Sequence, residues 1–262
     1  MGIEVGSGRL MVEDADGARG DDHGRQQIVV LLGAPGAGKG TQARFLSEAL
    51  GIPHIASGDL LRDHRRRGTP LGWAAQACMD RGDLVPDELV VEMVMDRLAA
   101  SDASRMALLD GFPRTRAQAE ALDTRLATAG GQVTLALSLD VERDALVERL
   151  TGRWFCATCQ VTYHERFSPP PATGTCGSCG ARLSQRADDR PEVVKNRVDV
   201  YLRETLPVIE HYAARGVLDR VDGDQPIEVV RAHMRIATVG LRSGRKRLSG
   251  WSKPQLRGVR AS

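Results

Sequence analysis

The strongest constraint on this chain is an apolar run that ends in a glycine-rich turn and opens straight into a helix. Ile28 to Leu32 is continuously apolar, which predicts a strand buried on both faces of a parallel sheet. The segment GAPGAGKGT, Gly33 to Thr41, follows at once, and a helical pattern runs from Gly40 to Leu50. Gly33, Gly36 and Gly38 lack Cβ atoms, so backbone N–H groups there can turn inward around a phosphate chain. The helix adds its positive N-terminal end, and Lys39 is placed to reach the outer phosphates. Gly36, Ala37, Gly38, Lys39, Gly40 and Thr41 are therefore the candidate phosphate cradle. Gly40 stands where a Ser or Thr usually ligates Mg²⁺, and the hydroxyl comes one position later at Thr41. A glycine turn without phosphate is the other reading, disfavoured by the strand before it and the helix after it.

Short apolar runs alternate with helical patterns down the rest of the chain. Strands are expected around Ile55 and over Met106–Leu109, Val133–Leu139 and Val217–Val221. Helices are expected from Asp87, as an N-cap, through Leu98, then over Val141–Arg153, Pro191–Arg215 and about Pro226–Thr238. This order predicts an α/β fold with an open parallel sheet covered on both faces. From Trp154 to Ser184 the apolar period stops and Cys, Gly, Pro and Thr take over, which marks an inserted small module.

The two ends carry opposite charge. The first 26 residues hold Glu4, Glu13, Asp14, Asp16, Asp21 and Asp22, whereas Gly240 to Ser262 carries seven Lys or Arg and no acid. Both are read as disordered tails, 1–26 and 240–262. Overall the 36 basic and 34 acidic side chains nearly cancel, so bulk charge gives no case for nucleic-acid binding. An aromatic content of 4% offers few platforms for stacking bases. No run of 18 apolar residues and no secretory signal is visible, so no membrane span and a cytoplasmic location are expected.

Cys156-x-x-Cys159 and Cys176-x-x-Cys179 are separated by sixteen residues, the spacing of a two-knuckle zinc ribbon. Four thiolates would close the tetrahedron, so one structural Zn²⁺ per chain is expected. Four reduced thiols or two disulfides are the alternatives. Cys78 stands alone and reads as a small core residue, and Arg65, Arg66 and Arg67 as one solvated helix end. Asp110, closing a strand, reads either as a carboxylate holding Mg²⁺ through its waters or as an N-cap.

Six segments in order resemble the adenylate kinase branch of the nucleoside monophosphate kinases. They are the glycine loop, Ser57 to Arg62, Asp83 to Glu88, Asp110 to Thr115, Arg149 to Arg153, and Arg186 to Asp189 with Arg197. The resemblance covers about Gln27 to Thr238 and belongs to the long-lid form whose lid carries zinc. It implies a P-loop three-layer fold over 27–239, with an AMP-binding helical insertion at 56–85 and a zinc-binding lid at 152–189. It implies reversible transfer from MgATP to AMP giving two ADP, by a chain expected to be a monomer.

The resemblance also assigns residues. Lys39, Arg114, Arg153, Arg186 and Arg197 would be catalytic. Arg62 and Arg114 would hold the AMP phosphate, with Arg186 and Arg197 reaching the transferring group. Ser57, Val85 and Gln118 would line the AMP base and ribose pocket, Gln118 offering a donor and an acceptor to an adenine edge. Asp83 and Leu84 would contribute backbone contacts, and Gly111, Phe112 and Pro113 the turn beneath the phosphate. Arg149 and Arg153 would face ATP, with Thr162, Tyr163 and Gln225 near its adenine. His164 reads as a surface or adenine-side residue. Another acceptor or donor in the same class, or a zinc ribbon with a basic tail on nucleic acid, are the competing functions.

Overall fold

The computed structural model describes residues 25–239 and 241. The tail expectations for 1–24 and for 240 and 242–262 therefore lie outside the described residues. Gln26, assigned above to the N-terminal tail, belongs to the fold. Its Nε2 donates to Leu98 O (3.1 Å) and Ala103 O (2.8 Å), and its carbonyl accepts from Gln132 N (2.9 Å).

The strand β1 (Gln27–Gly33) lies at the centre of a five-stranded parallel sheet. One side carries β3 (Met106–Asp110) and then β2 (His54–Ala56); the other carries β4 (Gln132–Asp140) and then β8 (Leu218–Asp222). Alternation along β1 serves two cores at once. Ile28, Val30 and Leu32 pack with α4 (Asp87–Leu98), α5 (Arg116–Thr128) and α8 (Leu206–Ala214) through residues such as Val94, Leu122 and Ile209. Val29 and Leu31 face the opposite layer, meeting α1 (Lys39–Leu50), α6 (Arg143–Thr151) and α9 (Ile227–Ala237) at Leu46, Leu146 and Met234. Burial on both faces is why the strand reads as an unbroken apolar run.

α2 (Ser57–Arg66) and α3 (Pro70–Arg81) form a helical insertion after β2. The second insertion follows α6: β5 (Arg153–Cys156) pairs antiparallel with β6 (Thr162–His164) and β7 (Leu183–Ser184). Its small core contains Cys156, Cys176 and Leu183. The helix expected over Val141–Arg153 is shorter at both ends. Glu142 is extended and precedes it, Gly152 follows it, and Arg153 already pairs with His164.

The long helix expected over Pro191–Arg215 is divided. α7 (Pro191–Val200) passes through a π-helical turn at Tyr201–Thr205 into α8. Pro207, in the first turn of α8, has no N–H to return to the preceding turn, which accounts for the looser spacing. Asp87 is the first residue of α4 and not its cap; Pro86 occupies that position. Cys78 is half-buried against the first core, as a small packing residue would be.

Candidate active site

The carboxyl ends of the strands open into one cavity of about 820 Å³, roofed by the β5–β7 module. Open parallel sheets place ligands at this edge. The loop after β1 forms its floor. Gly33 has φ +140°, and a Cβ there would lie 2.8 Å from Leu139 O, so only glycine allows the loop to press against β4. Gly38, in the left-handed region, stands at the start of α1 and leaves the first-turn N–H groups facing the cavity.

Lys39 folds back over the loop, donating to Gly33 O (2.7 Å) and Ala34 O (2.9 Å). Burial pushes its ammonium down to about 8; Asp110 opposes that shift, while Arg114, Arg197 and Arg153 add to it. The site therefore holds a cation that lacks sufficient counter-charge, as a phosphate site should.

Asp110 ends β3 beside this loop. A Cβ on Gly40 would stand 3.7 Å from its Oδ2, so the carboxylate faces the place where a P-loop hydroxyl usually lies. Burial alone would raise its carboxyl, but the His54 hydrogen bond (3.2 Å) and the charges of Lys39, His54 and Arg114 hold it below the usual range. An ionised, buried oxygen donor in this position fits a hydrated Mg²⁺. The N-cap alternative does not apply, since the helix that follows starts at Arg116 with Thr115 as its cap.

All six singled-out arginines line the cavity: Arg62, Arg114, Arg149, Arg153, Arg186 and Arg197. Burial and the neighbouring Arg197 push Arg114 down to about 10, and burial with Arg62 and Arg153 pushes Arg186 down to about 9. Two acids tie Arg153 and Arg197 together. Asp189 is buried, accepting from Arg153 Nε (2.8 Å) and Arg197 Nη1 (2.9 Å), and Asp188 lies 3.1 Å from Arg197. Asp59 pairs with Arg62. Arg65, Arg66 and Arg67 pair outside the cavity with Asp80 and Asp63, as a solvated helix end would.

In the lobe beneath α2 and α3, Ser57 Oγ donates to Gly111 O (2.6 Å) and Arg114 Nε to the same carbonyl (2.7 Å). A Cβ on Gly111 would lie 3.0 Å from Arg114, so the turn through Phe112 and a cis Pro113 is closely filled. Leu84 and Val85 line the same lobe. The Asp83 carboxylate accepts from Asn196 Nδ2 (2.9 Å) and Arg81 Nε (2.9 Å), which ties it to α3 and α7. Gln118 lines this lobe while fully packed, one end accepting from Arg114 N and the other donating to Asp87.

In the opposite lobe Arg149 donates to Gly223 O (2.9 Å) and its guanidinium lies 5.8 Å from the Phe167 ring. Thr162 and Gln225 line the same wall; Gln225 Nε2 donates to Asp222 (2.9 Å). Tyr163 lines the cavity, but its hydroxyl turns away toward the cysteines, 3.4 Å from Cys176 Sγ and accepting from Gly177 N (2.9 Å). Only its ring and backbone remain for an adenine. His164 is on the cavity side, its ring 4.6 Å from Phe167, and takes no part in the cysteine cluster.

The four Sγ atoms of Cys156, Cys159, Cys176 and Cys179 lie within 4.8 Å of one another. Backbone N–H groups of Cys159 and Thr158 favour the Cys156 thiolate, and the Tyr163 hydroxyl with the Ser178 and Cys179 N–H groups holds Cys176 down to about 6. The Ala181 N–H favours a thiolate at Cys179 too, yet the hydrogen bond that Cys179 donates to Cys156, burial and the other sulfurs push it up to about 12. Sulfurs this close cannot all ionise without a cation between them, and the donor set fits Zn²⁺.

Sequence reasoning missed four residues here: Asp189 as the link between Arg153 and Arg197, Asp87 behind Gln118, His54 on Asp110, and Arg44, whose Nη2 donates to Gln160 O (3.0 Å). Asp189 and Asp87 carried a signal, since they lie in the Arg186–Asp189 and Asp83–Glu88 segments of the resemblance.

A family model described as adenylate kinase matches residues 31–217. The chain is 49% identical over 213 residues to an adenylate kinase of Geobacillus sp. strain WCH70, covering 81% of this chain and 99% of that one. It is 50% identical over 202 residues to one of Moorella thermoacetica, covering 77% and 93%. With one of Methanocella arvoryzae it shares 48% over 208 residues, covering 79% and 96%.

Proposed function

The chain belongs to the adenylate kinase family, and from that premise we propose that it moves the γ-phosphoryl group of MgATP onto AMP, reversibly, giving two ADP. The observation that carries this reading is the position of Arg114, Arg153, Arg186 and Arg197 between two lobes of one cavity, opposite Lys39 and the glycine loop. Loose phosphoryl-transfer transition states need positioning and charge neutralisation, and a ring of guanidiniums supplies both.

The loop from Gly36 to Thr41 holds the ATP phosphates, with Lys39 following the group in transfer. Arg149 and Phe167 flank the donor base, beside Thr162, the Tyr163 ring and Gln225. Arg62 and Arg114 grip the AMP phosphate. Ser57, Leu84, Val85 and Gln118 hold its nucleoside, with the backbone of Asp83 and the Gly111–Pro113 turn beneath it. An AMP phosphate oxygen attacks the γ-phosphorus as the bond to the β–γ bridging oxygen breaks. That nucleophile is already anionic, so no side chain takes a proton. Arg153 and Arg197, kept in place by Asp188 and Asp189, neutralise the oxygens in flight together with Arg186. Asp110 orients the waters of the Mg²⁺ carried by ATP. Cys156, Cys159, Cys176 and Cys179 would hold a structural Zn²⁺, closing all four positions of a tetrahedron and leaving none open for chemistry. No described helix is long and apolar enough to cross a membrane. Thiolates available for zinc suit a reducing compartment, which supports a cytoplasmic location, and the monomer is carried over from the family resemblance.

Turnover with MgATP and AMP, GMP, CMP or UMP, followed by ADP release, tests the reading. AMP should be preferred by far. Equal or better use of another acceptor would sink the adenine assignment.

A further inference from the structure

The carboxylate of Asp87 points away from its own helix and into the base of α5. Gln118, 2% exposed, accepts from Arg114 N at 2.8 Å through Oε1 and donates from Nε2 to Asp87 Oδ1 at 2.7 Å. The other oxygen, Asp87 Oδ2, accepts from Thr115 Oγ1 at 2.8 Å, and that hydroxyl accepts from Gln118 N at 3.1 Å. A backbone N–H can only donate, and a carboxylate can only accept. Rotating the Gln118 amide by half a turn would set NH₂ against an N–H and a carbonyl oxygen against a carboxylate. Both contacts would turn repulsive, so the amide is fixed in one sense.

Each end of a carboxamide has a second site, one further N–H and one further lone pair. In Gln118, which lines the acceptor lobe, these are the groups left for a ligand, and their order is set by the partners behind them. A 6-amino purine presents a donor at its 6-position and an acceptor at N1. A 6-oxo purine presents the reverse at both positions. A freely turning amide reads either base; a fixed one reads one of them.

We propose that Asp87 is a specificity-determining positioning residue: by locking the Gln118 amide against the Arg114 N–H, it makes the acceptor lobe take a 6-amino purine monophosphate and refuse a 6-oxo one. Asp87 itself touches no nucleotide. The inference rests on the reading of this lobe as the AMP site.

The test compares AMP with IMP, which differ only at the positions Gln118 reads. kcat/KM for each is measured at saturating MgATP, together with KM for ATP, in the wild type and in Asp87→Asn and Asp87→Ser. Asparagine and serine each bring a donor of their own and no longer dictate the amide. The wild type should favour AMP by about 10²-fold, as a site built to hydrogen-bond its substrate does. Either variant should lower that ratio about tenfold, with KM for ATP unchanged. In Gln118→Leu the ratio should fall close to one, and adding Asp87→Asn should change it no further, because the two act as a unit. A strut that merely fastens α4 to α5 would reduce AMP and IMP use equally. That outcome, an unchanged ratio in both variants, or a further loss in the Gln118→Leu background overturns the inference. A wild type that phosphorylates neither AMP nor IMP overturns the functional reading instead.

Discussion

Lys39 is held by two carbonyls of its own loop and by too little negative charge, and its ammonium is pushed down to about 8, by burial first. The charged form is the one that grips phosphate. It predominates below that value in the free enzyme and is lost as pH rises through it. In the MgATP complex the phosphate oxygens restore the charge. kcat/KM for MgATP should therefore fall about tenfold per pH unit above about pH 8, while kcat persists to higher pH. Lys39→Met should lose about 10²–10³ in rate at pH 7 with normal far-UV circular dichroism. Near-normal turnover in that variant would remove the loop from the mechanism. Arg114, pushed down to about 10, stays charged near neutrality and belongs to the other lobe. Separate titrations of Arg114→Ala should show AMP affinity reduced at least about tenfold and ATP affinity within about twofold; the opposite pattern would mean the lobes are exchanged. The cradle and the arginines were legible in the sequence because their chemistry demands particular residue types at short local spacings. His54 and Arg44 were not, because each is defined by a partner 56 or 116 positions away.

At the level of elements, strands are legible wherever burial on both faces makes them apolar, continuously so within β1 and β3 and broken only by Thr134 and Ser138 over Val133–Leu139 of β4. Helix ends were read less well. Asp87 has the composition of a cap, but Pro86 takes that position and frees the carboxylate for Gln118 and Thr115. The π turn before Pro207 brings Thr205 Oγ1 to Arg114 O at 2.8 Å, a tertiary contact that no local period encodes. The β5–β7 module is the element least able to hold itself together. Its strands have two to four residues and its buried core is little more than Cys156, Cys176 and Leu183. So little apolar surface calls for a metal. Purified protein should contain about one zinc per chain, and Cys176→Ser should lose it. Protease susceptibility should then rise within 153–184 while the sheet core keeps its melting temperature, since the module opens as a local unit. Activity should survive at low temperature and fail on warming before the core melts. A folded Cys176→Ser inactive at every temperature would make the metal part of the catalytic apparatus.

Across the whole molecule, the module closes the cavity by spanning two parts of the fold. On one side Arg44, from the helix that carries the glycine loop, donates to the carbonyl of Gln160 at 3.0 Å. Gln160 follows the first cysteine knuckle with φ +61°, so the turn that shapes the metal site also presents that carbonyl. On the other side Arg186 lies over Phe155 at 4.7 Å, and burial together with the charges of Arg62 and Arg153 pushes it down to about 9. Closure without phosphate thus brings like charges together, whereas bound nucleotide neutralises them. Adenylate kinase lids are among the known cases of substrate-driven closure, and release after closure often limits turnover. Arg44 holds no phosphate in the proposed reaction, so its loss should act on closure alone. Arg44→Ala removes one charge-assisted hydrogen bond at a half-buried position and should raise KM for ATP about threefold to tenfold. KM for AMP and zinc content should stay the same, and kcat should hold or rise because opening becomes easier. Arg44→Lys, which can still donate to the carbonyl, should recover part of the loss. Two results would remove Arg44 from closure: an unchanged KM for ATP, or a fall in kcat accompanied by loss of zinc, which would make the contact a support for the module's fold.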